Sequence, residues 1–220
     1  MAIVFDLETL SIDGAEALVE PAKNLRDPEK IAASIAERAA KASLFPWTNR
    51  VAALAWCEET DDVEHVEVCN NEAAERRVLT EFLERVVDPR TQAVTPLVTF
   101  NGLAFDIPTL MARCRLLGVR CPEFNIDRYR SPHPDLMQIL TFKGVLEARS
   151  LKWFAQRFGL NVDDAFSGAL IAQLFEDQNW DAIKAHAASD VRLTRQLAER
   201  MGVLKPRPRV LAFPETEVTA

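Results

Sequence analysis

Apolar and polar positions alternate in two distinct periods along this chain. Ala2-Ile3-Val4-Phe5 is a short run of β-forming residues, the pattern of a strand buried on both faces. Arg50 to Cys57 and Val63 to Cys69 read as two further strands, the second alternating in and out, and Glu58 to Asp62 between them fits a hairpin turn. Pro96 to Phe100 is a fourth buried run. Helical spacing governs the rest. Asp27-Pro28-Glu29 has the form of an N-cap, a first-turn proline and a first-turn acid, and opens an alanine-rich helix that runs to about Ser43. Residues 72–87 and 105–117 predict two amphipathic helices. Four more follow in the second half, beginning at Asp135, Ser150, Gly168 and Ile183. The stretch from Arg120 to Pro134 is irregular. Strands first, then alternation, then a helical second half, predict an α/β domain with a mixed sheet.

Against this pattern three groups of polar residues stand out. Asp6 and Glu8 extend the first apolar strand, and residues two apart on a strand point to the same side. Two carboxylates held together on a buried strand repel and lose hydration unless a positive charge lies between them. Asn101-Gly102 turns the chain after the fourth strand, and Asp106 then starts a helix, where capping alone would explain an acid. His186 and Asp190 sit four apart in the last helix and share a face. Taken alone they would be a surface pair. Ala185, Ala187 and Ala188 around them are small enough to let a helix approach something closely. Four carboxylates and one histidine suit two Mg²⁺ or Mn²⁺ ions that clamp the attacking and leaving oxygens of a phosphodiester.

In this order and setting the three groups resemble the motifs of the DEDD (DnaQ-like) 3′–5′ exonucleases of the ribonuclease H-like fold. Phe5-Asp-Leu-Glu-Thr9 is similar to the D-x-E strand motif, Asn101-Gly-Leu-Ala-Phe-Asp106 to the N-x₃-F-D motif, and His186-x₃-Asp190 stands where the third motif falls. Pro134-Asp-Leu-Met137, Ser150 to Phe154 and Ala188 to Thr194 resemble the branch related to the proofreading domain of family B DNA polymerases. The resemblance implies a five-stranded mixed sheet, order 3-2-1-4-5 with strand 2 antiparallel, flanked by helices. It implies one exonuclease domain over 1–203 with a helical insert at about 11–45, and a proline-containing tail at 204–220.

The same resemblance implies roles. Asp6 would bridge two Mg²⁺ or Mn²⁺ ions, Glu8 and Asp190 would hold the one that activates water, and Asp106 would support the other. His186 would orient or deprotonate the nucleophile, while Leu7, Thr9, Asn101 and Phe105 would contact the 3′-terminal nucleotides. The implied substrate is the 3′ end of a single strand, DNA in preference to RNA, released as 5′-monophosphates; the alternatives are an exoribonuclease of the same fold or a catalytically weak nucleic-acid-binding or regulatory module. One departure stands out. The family pairs tyrosine with x₃ spacing and histidine with x₄, whereas this chain has histidine at x₃ and Val191 where the x₄ acid would be.

Composition changes this picture little. The 220 residues carry a net charge of −7, which argues against a broad basic surface that coats nucleic acid, and leaves an enzyme with a local cleft open. No apolar run reaches membrane-span length, and the immediate first strand leaves no room for a signal peptide, so no membrane partner and a cytoplasmic location are expected. The four cysteines lack metal or redox spacing and read as buried free thiols. Asp135 reads as a helix N-cap and His65 as a solvated strand residue. His133 has no ligand partners at metal spacing. Arg113, Arg115, Arg120, Arg128, Arg130, Arg149 and Lys152 fit either a phosphate-tracking rim or a solvated set. Trp47, Trp56, Trp153 and Trp180 are expected in the core or at its edges.

Overall fold

In the computed structural model, residues 1–61, 63–163 and 168–206 are described. Of the expected tail at 204–220, residues 207–220 lie outside that set. Strand β1 (Ile3–Ser11) is followed by a 3₁₀ turn, helix α1 (Pro28–Ala40) and a second 3₁₀ turn at Ala42–Leu44. Strands β2 (Asn49–Glu58) and β3 (His65–Val68), helix α2 (Glu72–Val86), strand β4 (Leu97–Val98) and helix α3 (Asp106–Leu117) come next. Helices α4 (Leu136–Leu140), α5 (Leu151–Arg157), α6 (Ile171–Glu176) and α7 (Trp180–Arg200) complete the order. The expected caps Asp27 and Asp135 form, and Asn71, Ser150 and Asn179 cap as well: each side chain accepts an amide proton from the first turn of its helix.

Among the described residues the sheet has four strands in the order β3-β2-β1-β4, with β1 and β4 parallel and the other neighbours antiparallel. The expected fifth strand is reduced to a single parallel bridge between Thr99 and Asp135. Its physical reason lies in Pro132-His133-Pro134, two residues of which have no amide proton to give a ladder. Thr99 N donates to Pro134 O, Leu136 N donates to Thr99 O, and the backbone of Leu97 is served by a side chain, donating 3.1 Å to His133 Nδ1. His133 thus has a structural role that its spacing did not indicate. It is buried, and burial holds its imidazole below the ordinary histidine range.

Side chains alternate to opposite faces of β1 and build two cores. Ile3, Phe5 and Leu7 join Phe82 of α2 and Ile107 and Leu110 of α3 on one face. On the other, Val4 and Leu10 lie with Ala53 and Ala55 of β2 under Ile183, Ala187, Val191 and Leu197 of α7. Alanines at both surfaces let α7 lie close on the sheet. The insert touches the sheet through Ala42–Leu44, which packs on β1 and β2, whereas α1 buries none of its residues. Trp56 is buried as expected; Trp47 and Trp153 are 50% and 45% exposed, so these two are surface residues. Cys57, Cys69 and Cys114 are buried free thiols and Cys121 is half-buried.

Two arginines, Arg113 and Arg195, are interior. The β1–β2 register shifts between Glu8 and Thr9, which face Ala53 and Val51, so Ala52 is an extra residue of β2. Beside this bulge the amide of Val51 donates 2.9 Å to Glu75 Oε1. Arg113 of α3 closes the arrangement with a bidentate pair to Glu75 of α2 at 2.7 and 2.9 Å, both residues buried. Arg113 therefore leaves the expected basic rim. Arg115 and Arg149 are paired with Glu123 and Glu147 on the surface. Arg195 of α7, 1% exposed, donates to the carbonyls of Glu58, Glu59 and Asp61 and so fixes the β2–β3 connection to α7.

Removing one partner of a buried pair strands the other charge. Arg113→Met is expected to lower unfolding free energy by about 3–5 kcal/mol. Arg113→Met with Glu75→Gln, which removes the charge and keeps an acceptor for Val51, is expected to recover most of that loss. Urea unfolding of the three proteins checks both.

Candidate active site

The site forms where β4 stops short of β1. Amides of alternate β1 residues face β4, and Ile3 N donates to Pro96 O there. Two pairs on, β4 has ended, and the next such amide, Leu7 N, donates 3.0 Å to the side chain of Asp106. Asp106 is buried and lies at the first position of α3. It is a side-chain substitute for a strand partner more than a cap of its own helix. This one bond brings the second acidic group against the first.

A tight turn sets the entry to α3. Asn101 adopts a left-handed φ of 69°, which asparagine tolerates. A Cβ on Gly102 would lie 2.3 Å from Thr99 Oγ1, so only glycine fits there. The Asp135 carboxylate accepts from Asn101 N and Leu103 N at 3.0 and 3.1 Å while capping α4 through Gln138 N. Asp135 is thus the expected N-cap and also the clamp of the Asn101–Leu103 turn, a long-range role that sequence spacing does not encode.

From the other face, α7 delivers His186 and Asp190. His186 Nε2 lies 3.3 Å from Glu8 Oε1 and 4.0 Å from Asp190 Oδ2. One ligand atom from each of Glu8, His186 and Asp190 can be chosen so that all three fall within 4.8 Å of one another. His186 and Glu8 are buried at 2% and 7% exposure; Asp6 and Asp190 are partly open to solvent.

Crowding shows in the protonation energetics. The Asp6 carboxyl is driven well above the usual range, first by loss of water and then by Asp106, Glu8 and Asp190 around it. Burial pushes Asp106 up to about 7, although hydrogen bonds from Leu7 and its own amide pull the other way. Four carboxylates from β1, α3 and α7 therefore converge on one place. Oxygen donors of this kind, with one imidazole, are a fitting ligand set for divalent metal.

The remaining expected contacts are placed as follows. Leu7 is 4% exposed, its side chain in the core under α2 and α3, so its amide is what it offers the site. Thr9 gives its hydroxyl proton to Ser43 O at 2.8 Å and ties the insert to β1. Asn101 and Phe105 are half-buried on the turn beside Asp106.

The family model of the RNase_H superfamily matches residues 43–202, and this chain belongs to that superfamily. The matched span holds Asp106, His186 and Asp190, and β1 with Asp6 and Glu8 precedes it. Members are usually metal-dependent nucleases. Among solved structures, the chain is similar to the family B DNA polymerase from the hyperthermophilic archaeon Pyrobaculum calidifontis, with a TM-score of 0.58 and 20% identity. That match covers 91% of this chain and 24% of the polymerase, and the likeness is one of fold. No curated protein matches the sequence. None of the described helices is long and apolar enough to cross a membrane.

Carboxyls held above their ordinary values stabilise the metal-free protein at low pH. That contribution is lost as pH rises from about 4 through the folded value near 7 for Asp106. Metal-free protein is therefore expected to lose stability over this window, and Asp6→Asn to melt higher than the parent in EDTA. Mn²⁺ at about 100 times its Kd should raise the parent's stability by about 2.7 kcal/mol at neutral pH, and Asp6→Asn should lose most of that gain. Thermal melts with EDTA or Mn²⁺ across this pH range check each sign.

Proposed function

We propose that the protein is a 3′–5′ exonuclease that removes nucleotides from the 3′ end of a single strand, with DNA as the preferred substrate. The observation that carries this reading is the convergence of Asp6, Glu8, Asp106 and Asp190, from three separate elements, on one place, with His186 3.3 Å from Glu8. The superfamily assignment supports a nuclease, and the fold shared with a family B DNA polymerase supports DNA.

In this reading the four acids hold two divalent cations, which supply Lewis acidity at the scissile phosphate and lower the pKa of bound water. The oxygen of a water molecule forms a bond to phosphorus as the P–O3′ bond to the penultimate sugar breaks. The water's proton is balanced by protonation of the departing 3′ oxygen, and a nucleoside 5′-monophosphate leaves. Asp106, fixed by Leu7 N, holds β1 and α3 in register so that both sets of carboxylates face one phosphate. Asn101 and Phe105 flank the terminal nucleotide on a turn kept rigid by Asp135 and Gly102. Rigid placement matters because a reacting group misplaced by about 1 Å can cost on the order of 100-fold in rate.

The test uses purified protein and end-labelled single strands of DNA and RNA with Mg²⁺, Mn²⁺ or EDTA. Expected products are 5′-monophosphates and a ladder shortening from the 3′ end, absent in EDTA. Asp106→Asn and Asp190→Asn should each reduce the rate at least about 10–100-fold, the range for loss of a group that orients a metal site. Faster degradation of RNA would move the assignment to an exoribonuclease. Cleavage of neither strand with either metal would leave a binding module and sink the enzyme.

A further inference from the structure

We propose that His186 is a nitrogen ligand of the divalent cation held by Glu8 and Asp190, and that this imidazole biases the site toward Mn²⁺ over Mg²⁺. The inference rests on the metal-dependent reading above and deepens it.

Position carries the argument. A group that takes a proton from an attacking water must face the side from which substrate arrives. His186, at 2% exposed, is more deeply buried than Glu8, Asp106, Asp190 or Asp6. It lies within their cluster, 3.3 Å from Glu8 and 4.0 Å from Asp190. The x₃ spacing places it there: four residues advance a helix by about 400°, so His186 and Asp190 diverge by only about 40°. With x₄ spacing the divergence would be about 140°, and the ring would leave the cluster. At this position its imidazole is within reach of both Glu8 and Asp190.

Distances fit a shared ion. Two neighbouring ligands at about 2.1 Å from one cation lie about 3 Å apart. His186 Nε2 is already 3.3 Å from Glu8 Oε1 and 4.0 Å from Asp190 Oδ2, the most exposed of the three side chains. Glu8 is held in place by β1 beside the Ala52 bulge, and His186 by a helix whose alanines lie against the sheet. Mg²⁺ strongly favours oxygen and keeps much of its water, whereas Mn²⁺, also at home among carboxylates, is a transition ion that accepts an imidazole nitrogen more readily than Mg²⁺ does. A Glu-His-Asp set therefore discriminates between two cations that an all-carboxylate set would hold more evenly.

The experiment is pulsed electron paramagnetic resonance on the full chain with one equivalent of Mn²⁺, which detects ¹⁴N directly bonded to the ion. Alongside it, Mn²⁺ affinity is titrated, with Mg²⁺ affinity obtained by competition. Wild-type protein should show nitrogen modulation, and His186→Gln and His186→Ala should lose it. Mn²⁺ affinity should fall at least about 10-fold in both variants, with Mg²⁺ affinity changed less than about 3-fold. Bound Mn²⁺ without nitrogen modulation in the wild type would overturn the proposal and leave the nuclease reading standing. So would an equal loss of affinity for both ions, the behaviour of a histidine that only positions Glu8. If the wild type bound neither ion, the metal-dependent reading itself would fail and the proposal with it. The wild-type spectrum decides the ligand question even if a variant fails to fold.

Discussion

One hydrogen bond, from Leu7 N to Asp106, fixes where the carboxylates of β1 and α3 meet. A parallel strand that ends early leaves its neighbour with amides facing no partner, and a buried amide must be satisfied. Here the partner is a carboxylate at the start of a helix. The fold's own hydrogen-bond requirement thus recruits an acid to the edge of a strand that already carries two. Once Asp106 is there, the carboxylates crowd one another, and each makes ionisation of Asp6 more costly. Fold and site share one cause.

The supporting structure keeps that place open and rigid. Asp135 holds the turn that delivers Asp106, and Gly102 permits its close passage over Thr99. Across the sheet, the Glu75–Arg113 pair stabilises the backbone beside the bulge that follows Glu8. These groups touch no phosphate in the proposed reaction. They determine whether carboxylates on β1, α3 and α7 meet within ångströms of one another.

Much of this was legible in the chain itself. Strand and helix periods gave β1, β2, α2, α3 and α7 to within a few residues, because each buries one clear face and several carry strong caps. Asp6 and Glu8 announced themselves because acids two apart on an apolar strand are costly without a purpose. Asp106 was ambiguous, since an acid at a helix start has a local explanation, and only its bond to Leu7 across 99 positions excludes it. The fifth strand failed because Pro132 and Pro134 remove amides that a ladder needs, a local signal outweighed by the pattern of the whole sheet. Arg113 and Arg195 could not be recognised as interior, because a charged residue is buried only where a distant acid or carbonyl is waiting for it.

What the sequence determined by itself was the set of elements and the choice of donors: strands from apolar runs, helices from their caps and stripes, and acids and a histidine at fixed spacings. Those properties depend on neighbours a few residues away. The tertiary structure decided which donors meet. It brought Glu8 and His186, 178 positions apart, within 3.3 Å, and buried that histidine to 2% exposure. The physical reason is that burial and proximity between distant residues are set by how sheet and helices pack, and no local pattern carries that information.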